Sequence, residues 1–253
     1  MWQNHFLTAL AEQGMVFEYK AGFYHTVSFI AYNLTINLVS LDNNFSPDVL
    51  IELQEASINQ GKKLIHLWED VWISKSEQVL FRLKSLLNKN ERIHGRKTKI
   101  RKITKPEADV FLNENHLQGS VTARYKFGLF ISEELVAVAT FSALRRMNYT
   151  EDYKSIELIR FAVKGGFSIT GGLSKLINNL KEQLSPNDMM TYADRDWSGG
   201  EAYLKLGFDK VDVLNPQYFL LDNNLNRKID RTCLKNNAVH VYNTGSLKFI
   251  LKF

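Results

Sequence analysis

The chain has 253 residues, of which 45% are hydrophobic, with 32 Lys and Arg against 27 Asp and Glu. That is enough apolar material for one large core or two smaller ones, and a net charge of +5 is too small to name a partner by itself. Few prolines and no biased tract exclude a disordered or low-complexity protein, while a single cysteine, Cys233, excludes an internal disulfide framework and a Cys-rich zinc site. No apolar run approaches the roughly 20 residues of a membrane span, and MWQNHFLTALAEQG shows neither a basic leader nor a small-residue cleavage site. The expected setting is therefore the cytosol, with no membrane partner.

The first ninety residues read as a small α/β unit. Trp2, Phe6, Leu7 and Leu10 share one helical face, and extended runs follow at MVFEYK, TVSFIAY and LTINLVSL. Ser46 at an N-cap and Pro47 at the first helical position open a helix through Ala56. KKLIHLW is the next strand. Ser74 and Glu77 have capping-box spacing, and Val79, Leu80, Leu83, Leu86 and Leu87 form the apolar stripe of the helix they open. Trp68 and Trp72 read as packing residues.

Between Lys89 and Lys105 eight Lys and Arg face a single acid, Glu91. Such a run is either a phosphate-neutralising surface, with Arg96, Lys97, Lys99, Arg101 and Lys102 as its contacts, or a solvated linker with an edge strand. It also marks a domain junction.

Beyond it the pattern is again α/β. Thr104 and Glu107 cap a helix to His116, with Pro106 in its first turn. FGLFI and LVAVATFS are strands joined at Ser132 to Glu134, and SIELIRFAV is a third. KGGFSITGG then leads into a helix whose Leu173, Leu176, Ile177, Leu180 and Leu184 keep the helical period. A strand passing through glycines into a helix is a physical anion site, because free N–H groups and the helix dipole converge where the backbone can approach a phosphate. After the strand MMTYAD come a small-residue turn, a helix carrying Tyr203, and LGF leading to another strand.

Over about residues 97–222 the chain resembles the Gcn5-related N-acetyltransferase (GNAT) superfamily, most specifically at AYLKLGF, which is similar to that family's A-x-x-x-Y-x-x-x-G-F signature. The resemblance implies an acyl-CoA-dependent N-acyltransferase. Acetyl-CoA, or another acyl-CoA, would lie with its pyrophosphate on Thr170, Gly171, Gly172 and Ser174, with Arg160 nearby, and Tyr203 would be the general acid for the leaving thiolate. The family loop reads Arg/Gln-x-x-Gly-x-Gly/Ala; this chain has Ser168, Gly171 and Leu173 at those places. NENHLQG, ELIRFAV, GGLSKL, TYADRDWSGGEAYLKLGF and VYNTGSLKF together resemble a phage-associated branch akin to the Mom DNA-modification family. In that setting Asp194 is a base or substrate anchor, Arg195 and Asp196 face substrate, and His116 lies near. Asp194 has an equally good reading as a helix cap paired with Arg195 or Arg160.

The segment from Trp2 to Asn90, most closely at KKLIHLWEDVWISKSEQVLFRLKSLL, resembles very-short-patch-repair-type endonucleases of the PD-(D/E)xK fold. Such enzymes hold Mg²⁺ on carboxylates of two adjacent strands, where this chain has Thr26, Ser28 and Asn37. No metal site is expected. The expected organisation is a degenerate nuclease-like α/β domain (1–92), a GNAT-like mixed-sheet α/β domain (93–225) and a C-terminal extension (226–253). The expected function is acyl transfer to a nucleic acid or nucleic-acid-associated amine, with DNA as a possible partner; the alternative is a non-catalytic nucleic-acid-binding protein built from two retired enzyme domains. Oligomeric state is left open.

Overall fold

The structure, a computed structural model, describes residues 1–147, 150–230 and 240–253. Cys233 lies outside the described residues. Helix α1 (Trp2–Glu12) is followed by β1 (Glu18–Lys20), β2 (His25–Phe29) and β3 (Leu34–Val39). TVSFIAY stops being a strand at Phe29, because Ile30–Tyr32 form a 3-10 turn closed by Asn33 in the left-handed region (φ 48°). Helix α2 (Pro47–Asn59) starts as expected, with the Ser46 hydroxyl accepting from the Val49 N–H. Strand β4 (Lys63–Trp68) runs directly into α3 (Glu69–Leu86), which comprises two helical segments meeting just after Ser74. The Ser74 hydroxyl donates to the Asp70 carbonyl, and the helical path is broken at Lys75 (φ −147°, ψ 41°).

The basic run forms β5 (Glu91–His94), a 3-10 turn over Gly95–Lys97, and β6 (Lys99–Lys102). Helix α4 (Lys105–Asn115) has the expected reciprocal capping box between Thr104 and Glu107. Then come β7 (Tyr125–Ile131), β8 (Glu134–Phe141), β9 (Arg145–Arg146), β10 (Lys154–Val163), β11 (Phe167–Thr170) and α5 (Gly172–Leu184). The remainder comprises β12 (Asp188–Asp194), α6 (Glu201–Lys205), β13 (Asp209–Leu214), β14 (Tyr218–Leu221), β15 (Arg227–Ile229), β16 (His240–Tyr242) and β17 (Ser246–Lys252). The class is mixed α/β, as expected from the alternation of helical and extended patterns.

The chain divides into two compact units. The first comprises residues 1–76, 193–201 and 212–247; the second comprises 77–192, 202–211 and 248–253. In the first, a sheet ordered β1-β2-β3-β4 has β3 and β4 parallel and the other neighbours antiparallel. Its core includes Val39, Leu50 and Trp68 together with Val241 and Tyr242 from the far end of the sequence. A buried ion pair reinforces that return: both guanidinium nitrogens of Arg227 used here, Nε and Nη2, donate to the Asp70 carboxylate at 2.6 and 3.0 Å. Trp68 and Trp72, both about 1% exposed, pack inside as expected.

The second unit is built on the sheet β13-β17-β12-β10-β8-β7-β6, with β9 added beside β10. Strands β6, β7, β8 and β10 pair antiparallel in turn, whereas β10 and β12 run parallel, with α5 connecting them as a crossover. Ala108, Phe111 and Leu112 of α4 pack on Phe130, Val138 and Ala162 of the sheet. Leu173, Leu176, Ile177 and Leu180 are the buried stripe of α5.

Candidate active site

Strands β10 and β12 pair only from Ser155 with Asp188 to Leu158 with Thr191. Beyond that point β10 continues to Val163, held by β8 alone after an irregularity between Leu158 and Arg160. The far edge of β10 is thus released from the sheet just before the chain turns toward α5. Thr191 marks the fork, its hydroxyl donating to the Leu158 carbonyl at 2.9 Å. In α/β sheets, ligands collect where neighbouring strands separate at their carboxyl ends.

From β10 the chain passes through Gly165 and Gly166 into β11, which pairs in parallel with β5. Gly171 follows with φ +74° as the cap of α5, and no side chain caps that end. The first-turn N–H groups of α5 therefore lack a side-chain acceptor, as an anion site requires. Thr170 and Gly171 are exposed and Ser174 is half-buried. One face of this loop is already in use. A Cβ added to Gly95 would lie 3.1 Å from the Gly171 carbonyl carbon, the Gly172 nitrogen and the Thr170 oxygen, so the basic 3-10 turn seats backbone to backbone on the glycines. The Lys175 ammonium fastens it by donating to the Gly95 and Thr98 carbonyls. A concavity of about 430 Å³ is bordered by Gly171, Ser174, Lys175, Asn178, Asn179 and the acid Glu182. The Asn179 amide nitrogen is buried without a hydrogen-bond partner among the described residues. Gly95 and Lys175 carried no sequence signal for this contact, since a glycine in a basic run and a lysine in an amphipathic helix are ordinary.

Tyr203 packs its ring on Phe208 and on Phe249 of β17, the strand beside β12. It is half-buried, and its hydroxyl makes no hydrogen bond among the described residues. Arg160 is spent locally, donating to the Gly119 and Ile159 carbonyls. His116 is the C-cap of α4, and its Nδ1 accepts from the Gln118 N–H at 3.1 Å. That bond leaves the proton on Nε2 and gives the ring a turn-closing role.

The other candidates belong to the first unit. Asp194 accepts from the Asp196 N–H at 3.1 Å while its carbonyl accepts from Trp197 and Ser198, which is the capping geometry of a tight turn. Arg195 lies 3.4 Å from Glu55 and borders a cavity of about 310 Å³ with Gln54, Lys63, Ser198 and Glu201. Asp196 is placed inside rather than toward a substrate. It is 1% exposed, and one carboxylate oxygen accepts from the Thr244 N–H and hydroxyl at 2.9 and 2.7 Å. Burial pushes its pKa up, against the pull of those two bonds and the Arg227 charge.

On the paired strands β3 and β4, Asn37 and His66 are fully buried. The Asn37 amide donates to His66 Nδ1 at 3.1 Å, and His66 Nε2 donates to the Leu50 carbonyl at 3.0 Å. Burial lowers the His66 pKa to about 4, outweighing the Leu50 bond, with Arg195 lowering it further. Among the described residues no group of three or more His, Cys, Asp or Glu side chains is placed to hold a metal ion.

Of the basic run, Arg96, Lys97, Lys99 and Lys102 are exposed. Arg101 makes a bidentate pair with Glu133, both bonds 2.7 Å, and stacks 4.7 Å over Phe130. Strand β6 forms one edge of its sheet, so this positive rim faces outward.

No family model matches the chain, and no curated protein is significantly similar to it. Among solved structures it is similar to a GNAT family acetyltransferase from Elizabethkingia anophelis with acetyl-CoA bound, at TM-score 0.40 and 13% identity, covering 62% of this chain and 99% of that one. It is also similar to Arabidopsis thaliana Naa50 in complex with a bisubstrate analogue, at TM-score 0.41 and 11% identity, with 62% and 99% covered. The ribosomal-protein-S18-alanine N-acetyltransferase from Escherichia coli gives TM-score 0.40 and 13% identity, over 61% and 93%. At this level the likenesses carry no weight for function; the geometry has to.

Proposed function

We propose that the second unit is an acyl-CoA-dependent N-acyltransferase whose cofactor lies along the released edge of β10. The observation that carries this reading is the fork: β10 and β12 part after Leu158 and Thr191, leaving an unpaired strand edge that runs toward the uncapped start of α5. An acyl-CoA fits that pairing of features, since its pantetheine arm carries amides able to bond a strand edge and its pyrophosphate suits free helix N–H groups. When bound, an acyl-CoA would supply the activated acyl group for an amine, a C–N bond replacing the C–S bond and the amine's surplus proton passing to solvent. Tyr203, with a hydroxyl free of other bonds, protonates the departing sulfur. With Gly95 seated on the glycines and Lys175 bonded to the Gly95 and Thr98 carbonyls, the phosphates are left Ser174 and the first-turn N–H groups of α5. The positive rim at Arg96, Lys97, Lys99 and Lys102 supports an acceptor amine borne on or held by nucleic acid.

A second reading is favoured by that same Gly95 contact: if the turn closes the loop to phosphates altogether, the protein is a nucleic-acid binder made of two former enzyme folds, with Thr26, Ser28 and Asn37 standing where nuclease carboxylates would be. Thermal unfolding of the purified chain separates the two. Stabilisation by acetyl-CoA and CoA, unaffected by Tyr203→Phe while that variant loses turnover, supports the transferase. Stabilisation by a short DNA duplex alone, lost as salt rises, sinks it in favour of the binder.

A further inference from the structure

The sheet ordered β13-β17-β12-β10-β8-β7-β6 ends on β6 and β13, and the two edges differ in kind. Strand β6 reads Lys-Ile-Arg-Lys, and like charges along an edge prevent it from pairing with a copy of itself. Strand β13 reads Asp-Lys-Val-Asp-Val-Leu, is exposed at every residue, and shows Val211, Val213 and Leu214 at 49%, 45% and 39%. Short or charged edges are the usual protection against strand addition, and β13 has six residues with three uncovered apolar side chains. Asp209, Lys210 and Asp212 have no ion-pair partner among the described residues. The Val213 N–H donates to the Asp212 carboxylate of its own strand at 2.8 Å, so that donor lies outside the sheet ladder.

We propose that β13 pairs antiparallel with β13 of a second copy of this chain, centred on Val211, making a two-fold dimer with a continuous sheet. The sequence selects the register. A two-fold axis perpendicular to the sheet keeps each face on its own side, so it must pass through a residue rather than between two. Centred on Val211, it sets Lys210 opposite Asp212 of the second copy, twice by symmetry, and Val211 against its own equivalent. Asp209 then faces Val213 of the second copy. A centre one residue earlier sets Lys210 against Lys210; one residue later sets Asp212 against Asp212. Only the Val211 centre is electrostatically complementary. The Val213 N–H, which bonds the Asp212 carboxylate rather than the sheet ladder and would exchange that acceptor on pairing, gives the same phase: residues 209, 211 and 213 present their backbone groups outward, so Val211 exchanges both its hydrogen bonds with its equivalent. The charged residues then fall at the close, non-hydrogen-bonded positions, where side chains approach best. This pairing does not depend on the proposed activity.

The test is sedimentation equilibrium of the full chain from about 5 to about 500 µM, a range suited to a small interface. The wild type is expected to move from monomer to dimer mass. Lys210→Asp and Asp212→Lys, each replacing two attractive pairs by two repulsive ones, should weaken dimerisation by about tenfold or more. The double variant K210D/D212K restores the complementary order and should recover it. Both substituted positions are exposed, so the unfolding midpoints of all three variants should match the wild type and exclude a folding cause. A wild type that stays monomeric throughout, a single reversal without effect, or a double variant that stays monomeric overturns the proposal.

Discussion

The buried His66 makes the stability of the first unit pH-dependent in one window only. In the fold it is fully buried and neutral, with Nδ1 accepting from Asn37 and Nε2 donating to the Leu50 carbonyl, so a second proton would put a charge in the core and break the Asn37 bond. The folded pKa is lowered from 6.5 to about 4. Above pH 6.5 neither the folded nor the unfolded chain holds the extra proton, and the contribution is complete. Between 6.5 and about 4 the unfolded chain takes up a proton that the fold refuses, so stability falls as pH falls; the full lowering amounts to about 3 kcal/mol. Asp196 acts in the opposite sense, since burial raises its pKa and acidification relieves rather than penalises it. The measurement is therefore a difference. Urea unfolding is followed at pH 7.5, 6.5, 5.5 and 4.5 (about one pH unit apart across the window) for the wild type and His66→Gln, whose amide keeps an acceptor and a donor but does not titrate. All four tryptophans, Trp2, Trp68, Trp72 and Trp197, belong to the first unit, so their fluorescence reports it specifically. The wild type should lose about 2–3 kcal/mol more than the variant between the extremes. Parallel lines for the two proteins would refute the argument that His66 is held neutral.

Asp70→Ala removes the partner of a guanidinium that is only partly exposed and leaves Arg227 unpaired against Trp68 and Phe219. Loss of about 3–5 kcal/mol from the first unit is expected by the same fluorescence assay, and a change under 1 kcal/mol would show that the pair adds little (about the value of a surface pair). Gly165→Ala places a Cβ 2.5–2.7 Å from three atoms of the Phe81 ring, inside any tolerable contact. The second unit should lose about 1–3 kcal/mol, read by its own transition in calorimetry, and Phe81→Leu should restore part of the loss by making room.

Much of the fold is legible because local chemistry and burial agree. Ser46 with Pro47 and Thr104 with Glu107 announced helix starts that the structure keeps, since each cap satisfies N–H groups the helix cannot. The apolar stripe of α5 gave a helix buried on the expected face. Ser74 and Glu77 flank a break in the helical path at Lys75, so a second helical segment does start beside them, although the Ser74 hydroxyl bonds back to the Asp70 carbonyl of the preceding segment. MVFEYK misled: Met15 is buried but Val16 is 91% exposed, and only Glu18–Lys20 pair. For the candidate site, the glycine loop and Tyr203 were visible as motifs. The roles of Arg160, His116 and Asp196 were not, because what consumes each of them is a backbone carbonyl, a backbone N–H or a threonine distant in sequence, and none of these leaves a pattern.

The late return of the chain to the first sheet was hidden for the same reason. Composition changes at the basic run, and a reader of the sequence naturally cuts there. Burial, however, is settled by what covers the apolar faces of the first sheet, and the residues that do so arrive late: Val241 and Tyr242 pack with Val39, Leu50 and Trp68. The polar ties follow the same route, Arg227 to Asp70 and Thr244 to Asp196, while the Asp196 carbonyl accepts from the His66 N–H at 3.1 Å. Each of these groups would be an unsatisfied buried charge or backbone donor without its late partner, a penalty of several kcal/mol that residues 1–92 alone have no means to offset. The segment at 193–201 therefore carries a structural duty that competes with its resemblance to a catalytic motif. Its acids divide accordingly, with Asp196 committed to the core and Asp194 to the turn that carries it there.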